Sequence, residues 1–262
     1  MSLPVIATSP PRGPEGAPLL VLGCSLGTSS LLWEESARIL AGHYRVSTWD
    51  LPGHGASPAS AAAFSIADLA DAVAAAYDEP FAYAGISISG GVGLDLALRH
   101  AERLSAVVTV CSAARFLTPD VWEERARVVR ASGTGALIVA SAQRWFAPGT
   151  MGRSPDVTGR LLHSLRDADD ESYARCCDAL AQFDARPALG GIRVPVVAAF
   201  GPFDEVTPER DSLEIAHGVP GGRAVAIDGA SHLASVDAPE RTAAVVLDAL
   251  AGMEGVRPHG TR

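Results

Sequence analysis

Three polar residues stand just after apolar segments, where a chain can turn and present a reactive side chain. Ser87 follows the apolar segment 81–86, and Asp204 and His232 each follow a later one. A serine hydroxyl becomes a nucleophile when a histidine accepts its proton and an acid orients that histidine. Serine, acid, histidine is one of the known chain orders of such a triad. We therefore predict acyl-transfer chemistry with Ser87 as the nucleophile, Asp204 as the orienting acid and His232 as the base.

Ser87 is the centre of the sequence Gly85-Ile86-Ser87-Ile88-Ser89, in which a strand-like segment leads directly into a helical one. A nucleophilic serine at such a turn needs small residues two positions to either side, because the strand and helix backbones pass close to each other. Ser89 stands where a second glycine is usual. Two alternatives stay open: Ser89 as the nucleophile, or a glycine- and serine-rich helix start that caps itself or binds an anion. We prefer Ser87, because the strand then ends with Gly85 in the standard place.

Asp204 and His232 have alternatives of their own. Glu205, next to Asp204, could be the acid instead, and Asp204 could be an N-cap or form an Asx-turn ahead of Pro208. His232 follows the last strand-like segment, as the base of this arrangement should. We interpret His54, in a loop, as structural. The remaining histidines stand at predicted helix ends, in the helical middle region or in the C-terminal tail: His43, His100, His163, His217 and His259.

Two backbone N–H groups are needed to stabilise the negative charge that forms on the attacked carbonyl. The residue after the nucleophile, Ile88, supplies one, and the loop 23–27 after an early strand should supply the other. We predict Leu26 as this second donor, because glycines flank it and let the backbone approach closely. Cys24 in the same loop is interpreted as a bystander, since no second base is placed for it.

Strand-like and helical segments alternate along most of the chain. Such alternation predicts an α/β fold with a mostly parallel central sheet flanked by helices. The strands are expected at 19–22, 44–49, 81–85, 104–110, 194–200 and 224–227, and the helices at 31–41, 65–77, 89–100, 208–216 and 239–250.

The stretch 114–190 breaks this alternation. It contains helical segments, clearest at 122–131 and 173–182, and almost no strand signal. Ligands of open α/β sheets bind at the carboxyl edge of the strands, and a helical cap inserted over that edge explains the stretch. We therefore predict a single domain with its core at 1–113 and 191–262 and the cap at 114–190.

Composition narrows the classes of function. The 262-residue chain has a formal net charge of −9 and no lysine, which argues against binding to nucleic acid or to an anionic membrane surface. No apolar run approaches the ~20 residues of a membrane helix, and no signal peptide is recognised. The four cysteines show no metal-ligand spacing, so reduced thiols in a cytoplasmic protein and no metal site are expected. The oligomeric state stays open.

Several of these segments together resemble the 3-oxoadipate enol-lactonases, which have the α/β-hydrolase fold. The resemblance covers nearly the whole chain, and its departures are Ser89 in place of glycine, Pro52 where arginine is common, and a shortened N-terminal hairpin. The cap carries the more specific matches. The matching segments are Ser-Leu-Gly-Thr at 25–28 with Trp33, Asp-x-x-Gly-His-Gly-Ala-Ser at 50–57, the turn and helix at 85–100, Arg144-Trp145-Phe146, Tyr-x-x-Cys-Cys at 173–177, 204–208 and 231–233.

The resemblance implies a serine hydrolase that opens 3-oxoadipate enol-lactone to 3-oxoadipate through an acyl-enzyme on Ser87. It implies a place in aromatic-compound catabolism by the β-ketoadipate pathway, with a small-molecule substrate and no metal or organic cofactor. Arg144 is expected to bind the substrate carboxylate and Trp145 to form an apolar wall. The alternative, a solvated Arg144 and a Trp145 in the core of the cap, stays open. Other open functions are a general carboxylesterase, a cofactor-free perhydrolase of the haloperoxidase type, and a ligand-binding protein without turnover.

Overall fold

One sheet forms the centre of the structure, a computed structural model that describes residues 3–251. Its strands lie in the order β1-β3-β2-β4-β5-β6-β7, and every neighbouring pair except β1 and β3 is parallel. The predicted mostly parallel sheet is confirmed. Residues 252–262, with His259, lie outside the described part. The strands are β1 (Ala7–Thr8), β2 (Leu19–Gly23), β3 (Arg45–Asp50), β4 (Phe81–Ile86), β5 (Leu104–Val110), β6 (Val196–Phe200) and β7 (Arg223–Ala226).

The central strands are apolar along their whole length, as expected for a parallel sheet that is covered on both faces. Every residue of β2, β4 and β6 is buried. Gly23 at the end of β2 lies opposite Gly85 near the end of β4. The turns that follow these two strands therefore meet at the carboxyl edge of the sheet.

Helices flank the sheet, as predicted, and connect its strands. Short 3-10 segments at Ser30–Trp33, Ala101–Arg103, Thr134–Leu137 and Arg186–Gly191 complete the connections. The α-helices of the described part are α1 (Glu34–Leu40), α2 (Ile66–Ala75), α3 (Ile88–Arg99), α4 (Pro119–Ser132), α5 (Ile138–Trp145), α6 (Thr150–Arg153), α7 (Pro155–Asp167), α8 (Asp170–Gln182), α9 (Glu209–Gly218), α10 (Ala234–Asp237) and α11 (Pro239–Ala251).

Local sequence signals set several of these helix boundaries. Ser65 and Asp68 form a capping box at the start of α2: the Ser65 Oγ accepts from the Asp68 backbone N–H at 3.1 Å, and the Asp68 carboxylate accepts from the Ser65 backbone N–H at 2.8 Å. Pro239 is the first residue of α11, a position at which proline loses no hydrogen bond. Pro208, expected inside the first turn of α9, lies one residue earlier as the N-cap.

Between β5 and β6 the chain contains helices α4 to α8 and no strand, over residues that are all described. Helices α4 and α8 pack closely against each other. We propose that this insertion, predicted at 114–190, is a cap that stands over the carboxyl edge of the sheet. Across residues 3–251, the helices fall short of the length and apolar content needed to cross a membrane.

Candidate active site

Ser87 occupies a strained turn between β4 and α3. Its φ of 58° and ψ of −124° are rare for a residue with a side chain, and such strain is found mainly at functional sites. Two hydrogen bonds hold the turn: the Ser87 N–H donates to the Val110 carbonyl at 2.9 Å, and the Ser112 hydroxyl donates to the Ser87 carbonyl at 2.8 Å. The last residue of β5 and a residue two positions beyond it therefore fix the position of the serine.

Gly85 is required by the close approach of the strand and the helix. A Cβ added to Gly85 would lie 2.3 Å from the Ser89 carbonyl oxygen, which is backbone and cannot move aside. The requirement for a small residue before the serine, predicted from the motif, thus has a direct steric cause.

Ser89, the residue in place of the second glycine, lies in a different environment from Ser87. It is fully buried, and its hydroxyl donates to the carbonyl oxygen of Cys24 at 2.5 Å. Ser87, in contrast, lines a cavity. This geometry favours Ser87 over Ser89 as the nucleophile.

Asp204 and His232 meet at the end of the sheet. The His232 Nδ1 lies 3.0 Å from the Asp204 Oδ2, and both side chains are almost fully buried. Because Nδ1 donates to the carboxylate, Nε2 carries the lone pair that can accept a proton. Glu205, the alternative acid, is exposed and lies at the cavity lining.

The carboxylate of Asp204 receives more hydrogen bonds than the one from His232. Its Oδ1 accepts from the backbone N–H groups of Val206 at 2.8 Å and Thr207 at 3.1 Å, and its Oδ2 accepts from the Thr207 hydroxyl at 2.8 Å. Burial by itself raises the pKa of Asp204, but the charge of His232 and the hydrogen bonds from His232 and Thr207 outweigh burial and leave the pKa below its ordinary value. Asp204 is therefore held as a carboxylate.

The loop after β2 forms a tight turn beside Ser87. The Thr28 N–H donates to the Ser25 carbonyl at 3.1 Å, and Gly27 has a φ of 79°. Leu26 lines the cavity together with Ser25. Ile88 is the first residue of α3, where a backbone N–H has no acceptor within the helix. The two residues predicted as oxyanion donors thus flank the serine from different elements.

Cys24 faces away from this chemistry. Its thiol lies 3.3 Å from the Trp49 carbonyl, and burial, followed by the negative charge of Asp50, raises the pKa of the thiol. A buried thiol with a raised pKa is a poor nucleophile. His54, interpreted as structural, is also buried, with its Nδ1 donating to the Pro52 carbonyl at 2.9 Å.

A cavity of about 110 Å³ opens beside Ser87 and His232. The predicted residues Arg144 and Trp145 line it, from the end of α5. Its other lining residues come from the turn after β2, the segment after β6 and the cap: Ser25, Leu26, Leu117, Trp122, Arg125, Ser141, Tyr173, Leu180, Glu205 and Val206. The cavity is small, and its composition combines aromatic walls with charged groups.

Arg125 is a cavity residue that the sequence did not reveal. It lies on α4 with its guanidinium carbon 4.9 Å from the centre of the Trp122 ring. Burial, followed by the positive charge of Arg125, lowers the pKa of Arg144, so the two cations influence each other. Within residues 3–251 neither arginine forms a salt bridge with a carboxylate. The cavity is therefore lined by two arginines that form no salt bridge and by one carboxylate, that of Glu205.

The described residues contain no group of three or more His, Cys, Asp and Glu side chains arranged to hold a metal ion. Ser87 and His232 line the same cavity, and we propose that a proton passes between them while Asp204 orients the imidazole. Such an arrangement can form and hydrolyse an acyl ester on the serine.

Comparisons with known proteins identify the family of this chain. The alpha/beta hydrolase fold family matches residues 17–239. The chain is 33% identical to 3-oxoadipate enol-lactonase 2 of Acinetobacter baylyi, over 87% of this chain and 86% of the relative. It is 31% identical to the pimeloyl-[acyl-carrier protein] methyl ester esterase of Aeromonas hydrophila, over 86% of this chain and 92% of that protein.

Among solved structures, the enol-lactonase from Burkholderia xenovorans superimposes with a TM-score of 0.90 at 32% identity, over 94% of this chain and 96% of that one. The resemblance predicted from the sequence motifs is confirmed.

Proposed function

The chain belongs to the α/β-hydrolase family and is an ester hydrolase, and we propose that its substrate is a small carboxylated enol-lactone, 3-oxoadipate enol-lactone. The observation that carries this proposal is the pair Arg125 and Arg144, which line the same small cavity as Ser87 and form no salt bridge within residues 3–251. An arginine in a partly buried site is well suited to bind a carboxylate. The enol-lactonases among the relatives support the choice of substrate.

Ser87 begins the reaction. Its Oγ attacks the lactone carbonyl carbon while His232 Nε2 takes the hydroxyl proton, and Asp204 holds the imidazole through Nδ1. The N–H groups of Leu26 and Ile88 stabilise the oxyanion, and each donor contributes roughly 3–4 kcal/mol by analogy with other hydrolases. The ring C–O bond then breaks. The enolate leaves, His232 returns its proton to it so that the imidazole is neutral again, and the resulting enol becomes a ketone.

Water completes the cycle. His232 removes a proton from a water molecule, the resulting nucleophile attacks the acyl carbon, and the bond to Ser87 breaks as the serine regains its proton. The product is 3-oxoadipate, which carries one more carboxylate than the substrate. Apart from the water molecule, Ser87 and His232 make and accept every bond and proton of these steps.

The test is the decay of ultraviolet absorbance of enol-lactone generated in situ, followed with the wild-type protein and with Ser87→Ala. We expect rapid decay with the wild type and a loss of rate of roughly 10⁴-fold or more with the variant. If the wild type cleaves p-nitrophenyl acetate but does not accelerate lactone loss, the substrate assignment is wrong and the hydrolase remains.

A second candidate is an esterase acting on a carboxylated acyl ester. The methyl ester esterase relative favours it, since its identity to this chain is close to that of the enol-lactonase relative. A panel of methyl esters of dicarboxylic acids, aryl esters, and acetate with peroxide separates this candidate and the perhydrolase from the lactonase by relative kcat/KM. We expect the enol-lactone to be preferred.

A further inference from the structure

The loop that carries His232 is attached to the cap on both sides of the histidine. The backbone N–H of Leu233 donates to the Trp145 carbonyl at 2.9 Å, and the Ser231 hydroxyl lies 3.3 Å from the Arg144 carbonyl. Arg144 and Trp145 line the cavity with His232. The residues beside the imidazole thus bond directly to the backbone of residues that face the substrate.

The carboxylate of Asp237 joins the same two segments. Its Oδ1 accepts from the backbone N–H of Ala147 in the cap at 2.9 Å, and its Oδ2 accepts from the backbone N–H of Ser231 at 2.8 Å. Asp237 is the last residue of α10, five positions after His232. A single side chain therefore fixes one cap segment to the residue directly before the histidine.

These bonds belong to the stronger kind. Hydrogen bonds from backbone N–H groups to an ionised carboxylate are shorter and stronger than those between neutral groups. Ala147 and Ser231 are buried, so loss of the carboxylate would leave two N–H groups without an acceptor away from water. Burial raises the pKa of Asp237, and the bonds from Ser231, Thr150 and Ala147 act in the opposite direction.

We propose that Asp237 is a positioning residue of the active site, which places His232 and the cap residues 144–147 by one shared contact. The proposal rests on the role of His232 as base in the proposed function. It predicts that the imidazole is aligned only when residues 144–147 of the cap are in contact with the loop that carries His232. A displacement of roughly 1 Å at a catalytic group can cost about 100-fold in rate, so loss of this contact has a catalytic effect beyond its effect on stability.

The experiment compares Asp237→Asn with wild type, Ser87→Ala and the control Asp170→Asn. Asp170, the first residue of α8, also accepts a backbone N–H, that of Thr134 at 2.7 Å, but both lie within the cap. Two rates are measured at a temperature where all variants are folded. These are kcat for p-nitrophenyl acetate and the rate at which a fluorophosphonate labels Ser87, which needs the base but not the lactone.

For Asp237→Asn we expect kcat and the labelling rate to fall roughly 10- to 100-fold, with KM for p-nitrophenyl acetate within about 2-fold of wild type. Asp170→Asn should keep both rates. Unchanged rates in Asp237→Asn, with only a lower melting temperature, would overturn the proposal. Asp237 would then only stabilise the attachment of the cap. If Ser87→Ala keeps full activity, the proposed function itself has failed.

Asp237→Glu gives a second test that does not depend on the folding of the first variant. It keeps both acceptor oxygens but moves them by one methylene. We expect its kcat to lie between those of wild type and Asp237→Asn, or at least about 3-fold below wild type where Asp237→Asn does not fold. A kcat equal to that of wild type overturns the proposal.

Discussion

Ser89 donates its hydroxyl to the carbonyl oxygen of Cys24 at 2.5 Å, and this bond links the helix after the nucleophile to the loop that leads to Leu26. The space for it is tight, since a Cβ on Gly23 would lie 2.6 Å from the Ser89 Cβ. The departure from glycine at this position thus adds a contact between the two elements that carry the proposed oxyanion donors.

Replacing Ser89 with alanine removes this bond and leaves a buried carbonyl without that donor. We expect a loss of roughly 1 kcal/mol in the free energy of unfolding and a fall in kcat of about 3- to 10-fold. Urea unfolding and ester hydrolysis measure the two effects. Ser87→Ala is the matched comparison: it should lose activity and keep stability. Complete inactivity of Ser89→Ala with an active Ser87→Ala would make Ser89 the nucleophile.

Arg125→Met and Arg144→Met should weaken binding of carboxylated substrates. Each lost charged hydrogen bond is worth about 1.5–3 kcal/mol, so KM for the enol-lactone should rise roughly 10- to 100-fold. The kinetics of the neutral p-nitrophenyl acetate should change by less than about 3-fold. Arg127→Met is the control on α4, the helix that carries Arg125, because Arg127 is exposed and paired with Glu124. Equal effects on both substrates would show that the arginines support the fold of the cap instead.

Thr207→Val keeps the shape of the side chain and removes the hydroxyl that donates to Asp204 Oδ2. We expect kcat to fall roughly 10-fold, because one charged hydrogen bond that orients the acid is lost. Thr207→Ser should restore most of the rate. Asp204→Asn sets the upper limit, with an expected fall of about 10⁴-fold. A Thr207→Val variant with the rate of wild type would mean that the backbone N–H groups suffice to hold the acid.

The ionised carboxylate of Asp211, in the first turn of α9, lowers the free energy of unfolding at neutral pH. Burial raises its pKa to about 6; Arg210 opposes the shift, and Glu214 and Asp204 add to it. The ordinary pKa in an unfolded chain is about 3.9, so the folded protein binds the proton more tightly. The free energy of unfolding therefore falls as the pH rises from about 4 to about 6, and the loss is complete above that range.

Asp211→Asn removes the carboxylate, and with it this pH-dependent loss in the free energy of unfolding. At pH 7.5 we expect a gain of up to about 2 kcal/mol, or roughly 4–8 °C in melting temperature, and no gain at pH 4. Calorimetric scans at the two pH values give the comparison. Glu209→Gln, exposed in the same turn, should stay within about 0.5 kcal/mol of wild type at both. A gain of equal size at pH 4 and pH 7.5 would contradict the explanation by titration.

Six of the seven strands, β2 to β7, could be predicted from the sequence as short apolar segments, whereas the two-residue β1 was not expected. β5, predicted at 104–110, is mostly apolar and rich in β-branched residues, and its observed bounds are the same. β6 begins two residues later than expected, since Val194 precedes Pro195, which lies just ahead of the strand. Ser87, Asp204 and His232 could be proposed as a triad because each follows its own strand along the chain, which the sequence alone shows.

Other features depend on contacts between segments that are far apart in the chain. Arg125 has the spacing of an ordinary exposed residue on a helix, and only the packing of the cap places it at the cavity. The bond from Ser89 to Cys24 spans 65 residues, and that from Asp237 to Ala147 spans 90. No local pattern encodes such pairs, so the sequence could not reveal them.

The backbone bond between Leu233 and Trp145 has a consequence for the exchange of caps between related enzymes. A transplanted cap can supply new pocket side chains and still place no carbonyl where that of residue 145 lies. The loop that carries His232 would then lose its bond to the cap, however well the new pocket fits its ligand. Chimaeras in which the foreign segment begins after residue 147 keep the native residues 144–147, whereas those in which it begins before residue 144 replace them. The first kind should therefore retain turnover more often, and chimaera libraries with the two boundaries would measure the difference.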